Sequence, residues 1–448
     1  MGKNRSIYFA VIGIIASMVL LPIATMRGLS NSLPVWIGIF LYIVWMVLKG
    51  KPGYSVILVA IAMCQPNVAS EEVDLALSLN FTRYYFYSLF IIPIVVLFIN
   101  NINKNDKIPL KAPIILSILF FFLGLIYNRD LTNILYPIVA THVAFLVGYF
   151  DRIDFRRYFI LFSIVLIITA IYAALEFHFR ICPYNDFYTT SQGYVAAILK
   201  RAQGLLGNPL ILLVFATFYL SIHCFNAVAY NKIYVFPLLV CMYICLIVVS
   251  KTAVVSLLFF FLIYNFYGKA SLKLKIPLLI VVGIACFGAY YFLTETVGDL
   301  LTRFQYSDSA LHRQSGFTIV KNILNDNFFG VGFDNYSASL RKYATSGFNT
   351  DVNSLDNFFL TQFAHYGFLG IFVLLFYLNY FLAYFRSKRM RKQSKEMLFL
   401  FVAFTITGFS FDFEAYNNVC LFVYIMIGSA FGRCYDRQER FIPVEKNI

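Results

Sequence analysis

The chain has 448 residues, a formal net charge of +14, and a composition that is 60% hydrophobic, 19% aromatic and only 13% charged. A soluble domain carries about 25% charged residues, so this composition, with apolar runs of spanning length recurring from end to end, excludes a soluble globular domain. It predicts an all-α polytopic membrane protein; the runs do not alternate in polarity, as the strands of a membrane β-barrel must.

Taken in chain order, the apolar runs predict fourteen spans, near residues 7–26, 33–48, 54–66, 84–99, 112–127, 134–150, 158–176, 209–229, 233–249, 252–267, 276–293, 361–385, 397–411 and 419–432. The first run lacks a small-residue cleavage site and reads as a retained span, not a removed signal peptide. The connector Arg386 to Glu396 holds Arg386, Lys388, Arg389, Arg391, Lys392 and Lys395. The positive-inside rule puts it in the cytoplasm, and alternation then puts both termini there. The basic connectors 49–53, 100–111, 151–157 and 268–275 fall on the same side. Cytoplasmic segments hold 24 of the 36 Lys and Arg residues, so the surplus charge is a topology signal and not a nucleic-acid footprint.

This organisation divides the chain into an N-terminal transmembrane scaffold (1–176), a first external loop (177–208), central spans (209–293), a large external loop between spans 11 and 12 (294–357), and C-terminal spans with a cytoplasmic tail (358–448). The eight cysteines are scattered through apolar runs, without metal-ligand spacing, and read as packing residues. His142, inside the sixth span among aromatic neighbours, reads the same way. The chain has no internal repeat and no Walker or Rossmann glycine motif.

The first external loop ends in Lys200-Arg201-Ala202-Gln203-Gly204-Leu205-Leu206-Gly207-Asn208-Pro209. Two readings stay open there. The glycines make a turn before a proline-opened helix, or Arg201 and the helix entrance at Asn208 hold an anion. Lys251 sits at the tip of the tight hairpin Ser250-Lys251-Thr252, either snorkelling at the interface or aimed into an external cavity.

The large loop is the longest polar stretch in the chain. It carries Arg303 and then a predicted helix, capped by Asp308 or Ser309 and running to about Asn325. Leu311, Ile319, Val320, Ile323 and Leu324 form one apolar stripe, suited to the membrane surface or to packing against the spans. His312 precedes Arg313, which falls in the first turn, where the helix dipole disfavours a cation. Arg313 therefore has an anionic partner outside the helix, or a salt bridge to Asp308. Gly330-Val331-Gly332 turns the chain ahead of Asn335-Tyr336. The loop holds five Lys or Arg and seven Asp or Glu residues, which favours specific pockets over bulk electrostatic attraction. Ser354 is the predicted cap of span twelve, placing Asp356 and Asn357 in its first turn. His365 then lies about 180° from Asp356 around the helix, so the two do not share a face.

In this order and on this predicted side, the motifs resemble those of the O-antigen polymerase and O-antigen ligase superfamily. The resemblance covers Arg201 to Gly370. Arg201-x-x-Gly204-x-x-Gly207-Asn208-Pro209 is similar to the family's Arg…Gly-Asn-Pro entrance, and Ser250-Lys251 to its Ser-Arg hairpin, with lysine for arginine. Arg313 followed by Phe317 resembles an Arg-x-x-x-Trp step, with Phe for Trp. Gly330-Val331-Gly332 with Asn335-Tyr336 resembles a Gly-Val-Gly…Asn-Tyr turn. Asp356-Asn357-x9-Gly367-x-x-Gly370 is similar to the His-Asn-x9-Gly-x-x-Gly ending of the ligases, with Asp356 where they carry histidine.

The resemblance implies metal-independent glycosyl transfer, with no cofactor, at the external face of the bacterial inner membrane. Donor and acceptor are oligosaccharides on undecaprenyl diphosphate. Membrane lipid is a further partner and a chain-length regulator protein an optional one. Arg201, Lys251, Arg313 and Arg303 would hold the diphosphate. Asn208, Asn335, Asn357 and His312 would contact substrate, and Asp356 would deprotonate or orient the acceptor hydroxyl. Aspartate at 356 favours a polymerase over a ligase acting on lipid A core. A flippase is the alternative from another class, disfavoured because the notable charges lie at external helix ends and no two halves repeat.

Overall fold

A computed structural model describes residues 2–26, 29–64, 143–156, 159–179, 202, 204–206, 209–230, 234–248, six residues between 252 and 260, 308–332, 335–344, 355, 357–371, 391–412 and 417–439. Every regular element among them is helical. The order is α1 (Gly2–Met26), α2 (Leu29–Leu48), α3 (Tyr54–Met63), α4 (Ala144–Asp151), α5 (Phe159–Phe179), α6 (Pro209–Tyr230), α7 (Val235–Ile247), α8 (Asp308–Asp326), α9 (Tyr336–Tyr343), α10 (Phe358–Tyr366), α11 (Arg391–Ser410) and α12 (Asn417–Glu439), with 3-10 turns at Gly204–Leu206 and Gly367–Leu369. Phe159–Phe179 and Pro209–Val228 are long and apolar enough to cross a membrane. Ile7–Ile23, Pro34–Leu48, Tyr54–Met63, Val235–Ile247, Leu398–Phe409 and Val419–Arg433 are shorter apolar helices. The predicted spans near 84–99, 112–127 and 276–293 lie outside the described residues, as do His142 and most of the spans near 134–150 and 252–267.

All ten residues of α3 are buried, in a core shared with α1, α2, α4, α5 and α12. The closest pairing is α4 with α12. Gly428 and Gly432 of α12 face the backbone carbonyls of Phe145 and Tyr149, and Gly148 of α4 faces that of Ile425. A side chain at any of the three would run into backbone. Ser429 completes the contact by donating to the Gly148 carbonyl at 3.1 Å. Small residues four apart are what lets two apolar helices bring their backbones together. Cys64, Cys224, Cys241, Cys245 and Cys420 are buried, and four of them belong to helices of this core.

Charged side chains tie the ends of this core together. Arg433 pairs with Glu396 of α11 and lies 3.5 Å from Asp154, with its guanidinium 4.6 Å from the centre of the Phe155 ring. Asp151 caps α3 from a distant part of the chain, its carboxylate accepting from Gly53 N at 2.9 Å and Ser55 N at 2.9 Å. The first amides of a helix have no acceptor within the helix, and Asp151 supplies one. Asp151→Ala is expected to leave two buried N–H groups without that acceptor and to cost about 1–3 kcal/mol. A thermal melt in detergent checks this, with Asp154→Ala, at a carboxylate 37% exposed, expected to lower the midpoint less.

Candidate functional site

α8, α9 and α10 build a unit around a second, smaller core. Ile319, Val320 and Ile323 of α8 are buried together with Tyr336 and Leu340 of α9, Leu360 and Ala364 of α10, and Val331 and Leu355 from the connecting segments. Of the apolar stripe predicted for α8, Ile319, Val320, Ile323 and Leu324 pack in this core, and the side chain of Leu311 lies outside the described residues. The helix begins at Asp308, so Arg313 is its sixth residue and lies beyond the first turn where it was expected. The dipole therefore acts on it less than the sequence suggested.

After α8 the chain turns through Gly330 (φ 80°) and Gly332 (φ 69°), both in the left-handed region that glycine tolerates. This turn docks on the C-terminal end of α10. Val331 N donates to the Ala364 carbonyl at 2.9 Å, Gly332 N to the His365 carbonyl at 3.1 Å, and Phe368 N back to the Phe328 carbonyl at 3.1 Å. The last carbonyls of a helix lack partners within it, and here the turn supplies the donors. Gly367 ends α10 at φ 59°. A Cβ on Gly330 would stand 2.5 Å from Gly367 N and His365 O, and one on Gly367 would strike the Phe328 carbonyl. The Gly-Val-Gly and Gly-x-x-Gly motifs, far apart in sequence, are therefore the two halves of one joint. Within the span drawn at 361–385, the first part belongs to the helix α10, which ends at Gly367 where the backbone leaves the helical region; residues 372–385 lie outside the described residues.

The start of α10 also differs from expectation. Asn357 has extended backbone and its side-chain oxygen accepts from Leu360 N at 3.1 Å, the N-cap bond, while its amide donates to the Phe409 carbonyl at 3.5 Å. Asn357, not Ser354, is the cap. Asp356, one position before the cap in sequence, lies outside the described residues, so the angular comparison with His365 is not tested.

Next to this cap a polar cluster is buried between α9, α10 and the segment after α11. Thr361 donates to Asp412 Oδ2 at 2.8 Å, and the Tyr336 hydroxyl lies 3.3 Å from the Thr361 oxygen. Thr361 has a single proton, so with that proton on Asp412, Tyr336 donates to Thr361. The Tyr336 ring meets His365 edge to face at 4.4 Å between centres. Tyr336, Asn357, Thr361, His365 and Asp412 are each at most 8% exposed. Gln362 is fully buried, and neither atom of its amide finds a hydrogen-bond partner among the described residues. A buried amide of this kind is uncommon. Sequence reasoning missed Thr361, Gln362 and Asp412. The available signal was Phe411-Asp412-Phe413, a carboxylate framed by phenylalanines between two apolar runs.

A second polar anchor holds the segment that follows Arg201. The buried Glu176 carboxylate of α5 accepts from Gly204 N at 2.6 Å, with Gly204 at φ 60°. Ala202 N donates to the Ile247 carbonyl at the end of α7, at 3.1 Å. Gly204 thus makes a turn ahead of α6, while Arg201 and Asn208, on which the anion reading depends, lie outside the described residues. Ala202 follows Arg201 directly in sequence and Ile247 lies four positions before Lys251; neither cation is itself among the described residues.

Arg201, Asn208, Lys251, Arg303 and Asp356 themselves lie outside the described residues. His312 and Arg313 have helical backbone in α8, with side chains outside the described set. Asn335 is exposed and precedes α9 without a side-chain capping bond. Among the described residues no three His, Cys, Asp or Glu side chains gather as a metal site. No protein-family model matches the chain, and no curated protein matches it significantly.

Proposed function

We propose that the chain is a polysaccharide polymerase of the bacterial inner membrane, with fourteen spans, cytoplasmic termini and the 294–357 loop outside. It transfers a growing glycan from undecaprenyl diphosphate onto the terminal sugar of a new lipid-linked repeat unit. The bond between the sugar's anomeric carbon and the diphosphate oxygen breaks, and the acceptor oxygen forms the new glycosidic bond. The acceptor proton passes to Asp356, and the lipid diphosphate leaves. Its developing charge is met by Arg201, Lys251, Arg313 and Arg303, acting as fixed donors in a partly dry site. His312, Asn208 and Asn335 contact the sugars. Asn357, whose side chain is engaged at the α10 cap, fixes the chain beside Asp356.

One observation supports this reading most. Motif residues scattered through the sequence meet in space: Gly330-Val331-Gly332 docks beside Gly367, Tyr336 joins Thr361 and His365, and Asn357 caps the same helix. A purely structural span does not need a polar loop so fastened at its entrance.

Deleting the chain tests the function. Lipid-linked single repeat units are expected to accumulate outside, with no long polymer. Long polymer left on undecaprenyl diphosphate would instead indicate the ligase, and repeat units trapped on the cytoplasmic side the flippase. The topology is tested by reporter fusions. Those after Lys269 and Lys392 are expected to read cytoplasmic and one near Ser346 external. A cytoplasmic signal at Ser346 rejects both the topology and the mechanism.

A further inference from the structure

We propose that the Phe328–Phe329 turn is seated among the acyl chains of the bilayer, anchoring the α8–α9–α10 unit to the membrane at the site. This rests on the membrane part of the reading above and not on its chemistry.

The turn Asn327-Phe328-Phe329-Gly330 presents two large apolar rings to the outside, 57% and 52% exposed. They are not scattered single residues. Phe328 lies 4.5 Å from Phe368 and 5.2 Å from Phe329 between ring centres, and Phe368 and Ile371 are themselves 41% and 39% exposed. The turn cannot drift from this position. Phe368 N donates to the Phe328 carbonyl, the Gly330 and Gly367 backbones are in contact, and Val331 and Gly332 are bonded to α10.

Phe368 also opens residues 368–385, which carry no charge and are about as long as a hydrocarbon core is thick. The surroundings of Phe368 and Ile371 at the head of that run are therefore those of Phe328 and Phe329. An aqueous setting would leave four neighbouring apolar side chains in water, the kind of patch that marks an interaction surface. Asp326, next to the turn, and the groups that gather on it suit the level of the headgroups. Asp326 pairs with Lys342 at 4.0 Å and accepts from the Tyr343 hydroxyl, and Lys321 and Arg341 are exposed. Tyrosine and basic residues beside an apolar wedge are the usual composition of a membrane interface. The loop is thus not wholly aqueous: its midpoint dips into lipid, beside the end of α10.

The test is tryptophan quenching by lipids brominated along their acyl chains, in nanodiscs holding the full chain. Phe328→Trp and Phe329→Trp are made singly, and their quenching is read as the increment over the native signal of Trp36 and Trp45. Phe368→Trp serves as the lipid-facing reference, and Thr318→Trp, on the exposed side of α8, as the aqueous one. Both turn variants are expected to lose emission as Phe368→Trp does, while Thr318→Trp does not. Turn variants that behave like Thr318→Trp, with Phe368→Trp quenched, overturn the proposal. If Phe368→Trp is also unquenched, the membrane reading falls with it. Loss of the proposed polymerase activity leaves the quenching result untouched, so the two can fail separately.

Discussion

Replacing Arg313 by alanine is expected to abolish chain extension while the protein still inserts normally, and Arg201→Ala is expected to do the same. In the proposed mechanism each change removes a charge-assisted contact to the departing diphosphate, where negative charge grows as the anomeric bond breaks. Single fixed donors of this type are worth about 2–4 kcal/mol, which corresponds to roughly 30- to 1,000-fold in rate. Lys251→Arg keeps a cation of greater hydrogen-bonding reach and is expected to retain activity. Polymer length on gels, compared at equal membrane levels of each variant, reads the effect. Wild-type length in Arg313→Ala cells removes that residue from the site.

Gly367→Ala is expected to be nearly as damaging, through the fold of the site. Gly367 sits at φ 59° and ψ −141°, a region essentially restricted to glycine. An alanine there carries a strain of order 1–3 kcal/mol, and its Cβ meets the Phe328 carbonyl. The joint must open. With it go the backbone bonds of Val331, Gly332 and Phe368, each worth about 0.5–1.5 kcal/mol net. The α8–α9–α10 unit then loses its footing, and Tyr336 its place against Thr361 and His365. Gly316→Ala is the control, since a Cβ there meets only the ends of the Leu355 and Leu360 side chains at 3.4 Å. Limited proteolysis of the loop and thermal melts are expected to separate the two variants clearly. Equal behaviour of both rejects the joint as a structural element.

Much of this arrangement was legible in the chain itself. The stripe at Ile319, Val320 and Ile323 was visible because helical periodicity survives in sequence whatever covers the face. The glycines at 330, 332 and 367 marked places where the backbone turns or comes close, although nothing in their spacing says that they meet each other. The end of α10 at Gly367 was hidden, because hydropathy sums composition and is blind to where the backbone leaves the helical region. The α10 cap was misread by three residues because Ser354 and Asn357 are both good capping residues, and only backbone geometry chooses between them. Glu176 and Asp412 were missed for a related reason. Each is a carboxylate at the edge of an apolar run, where a sequence shows a loop boundary. What makes them notable is a long-range partner: the Gly204 amide for one and the Thr361 hydroxyl for the other.

The central claim is that this chain itself joins lipid-linked repeat units, with Asp356 taking the acceptor proton. Purified wild-type protein and Asp356→Asn, each in nanodiscs, are supplied with undecaprenyl-diphosphate-linked repeat units, and the products are sized. The amide keeps the shape of the carboxylate and cannot accept the proton. The account predicts a ladder of extended chains and free lipid diphosphate from the wild type, and almost no turnover from Asp356→Asn despite intact donor binding. A wild-type protein that binds the donor yet makes no ladder, or an Asp356→Asn variant that makes one as fast as the wild type, contradicts it.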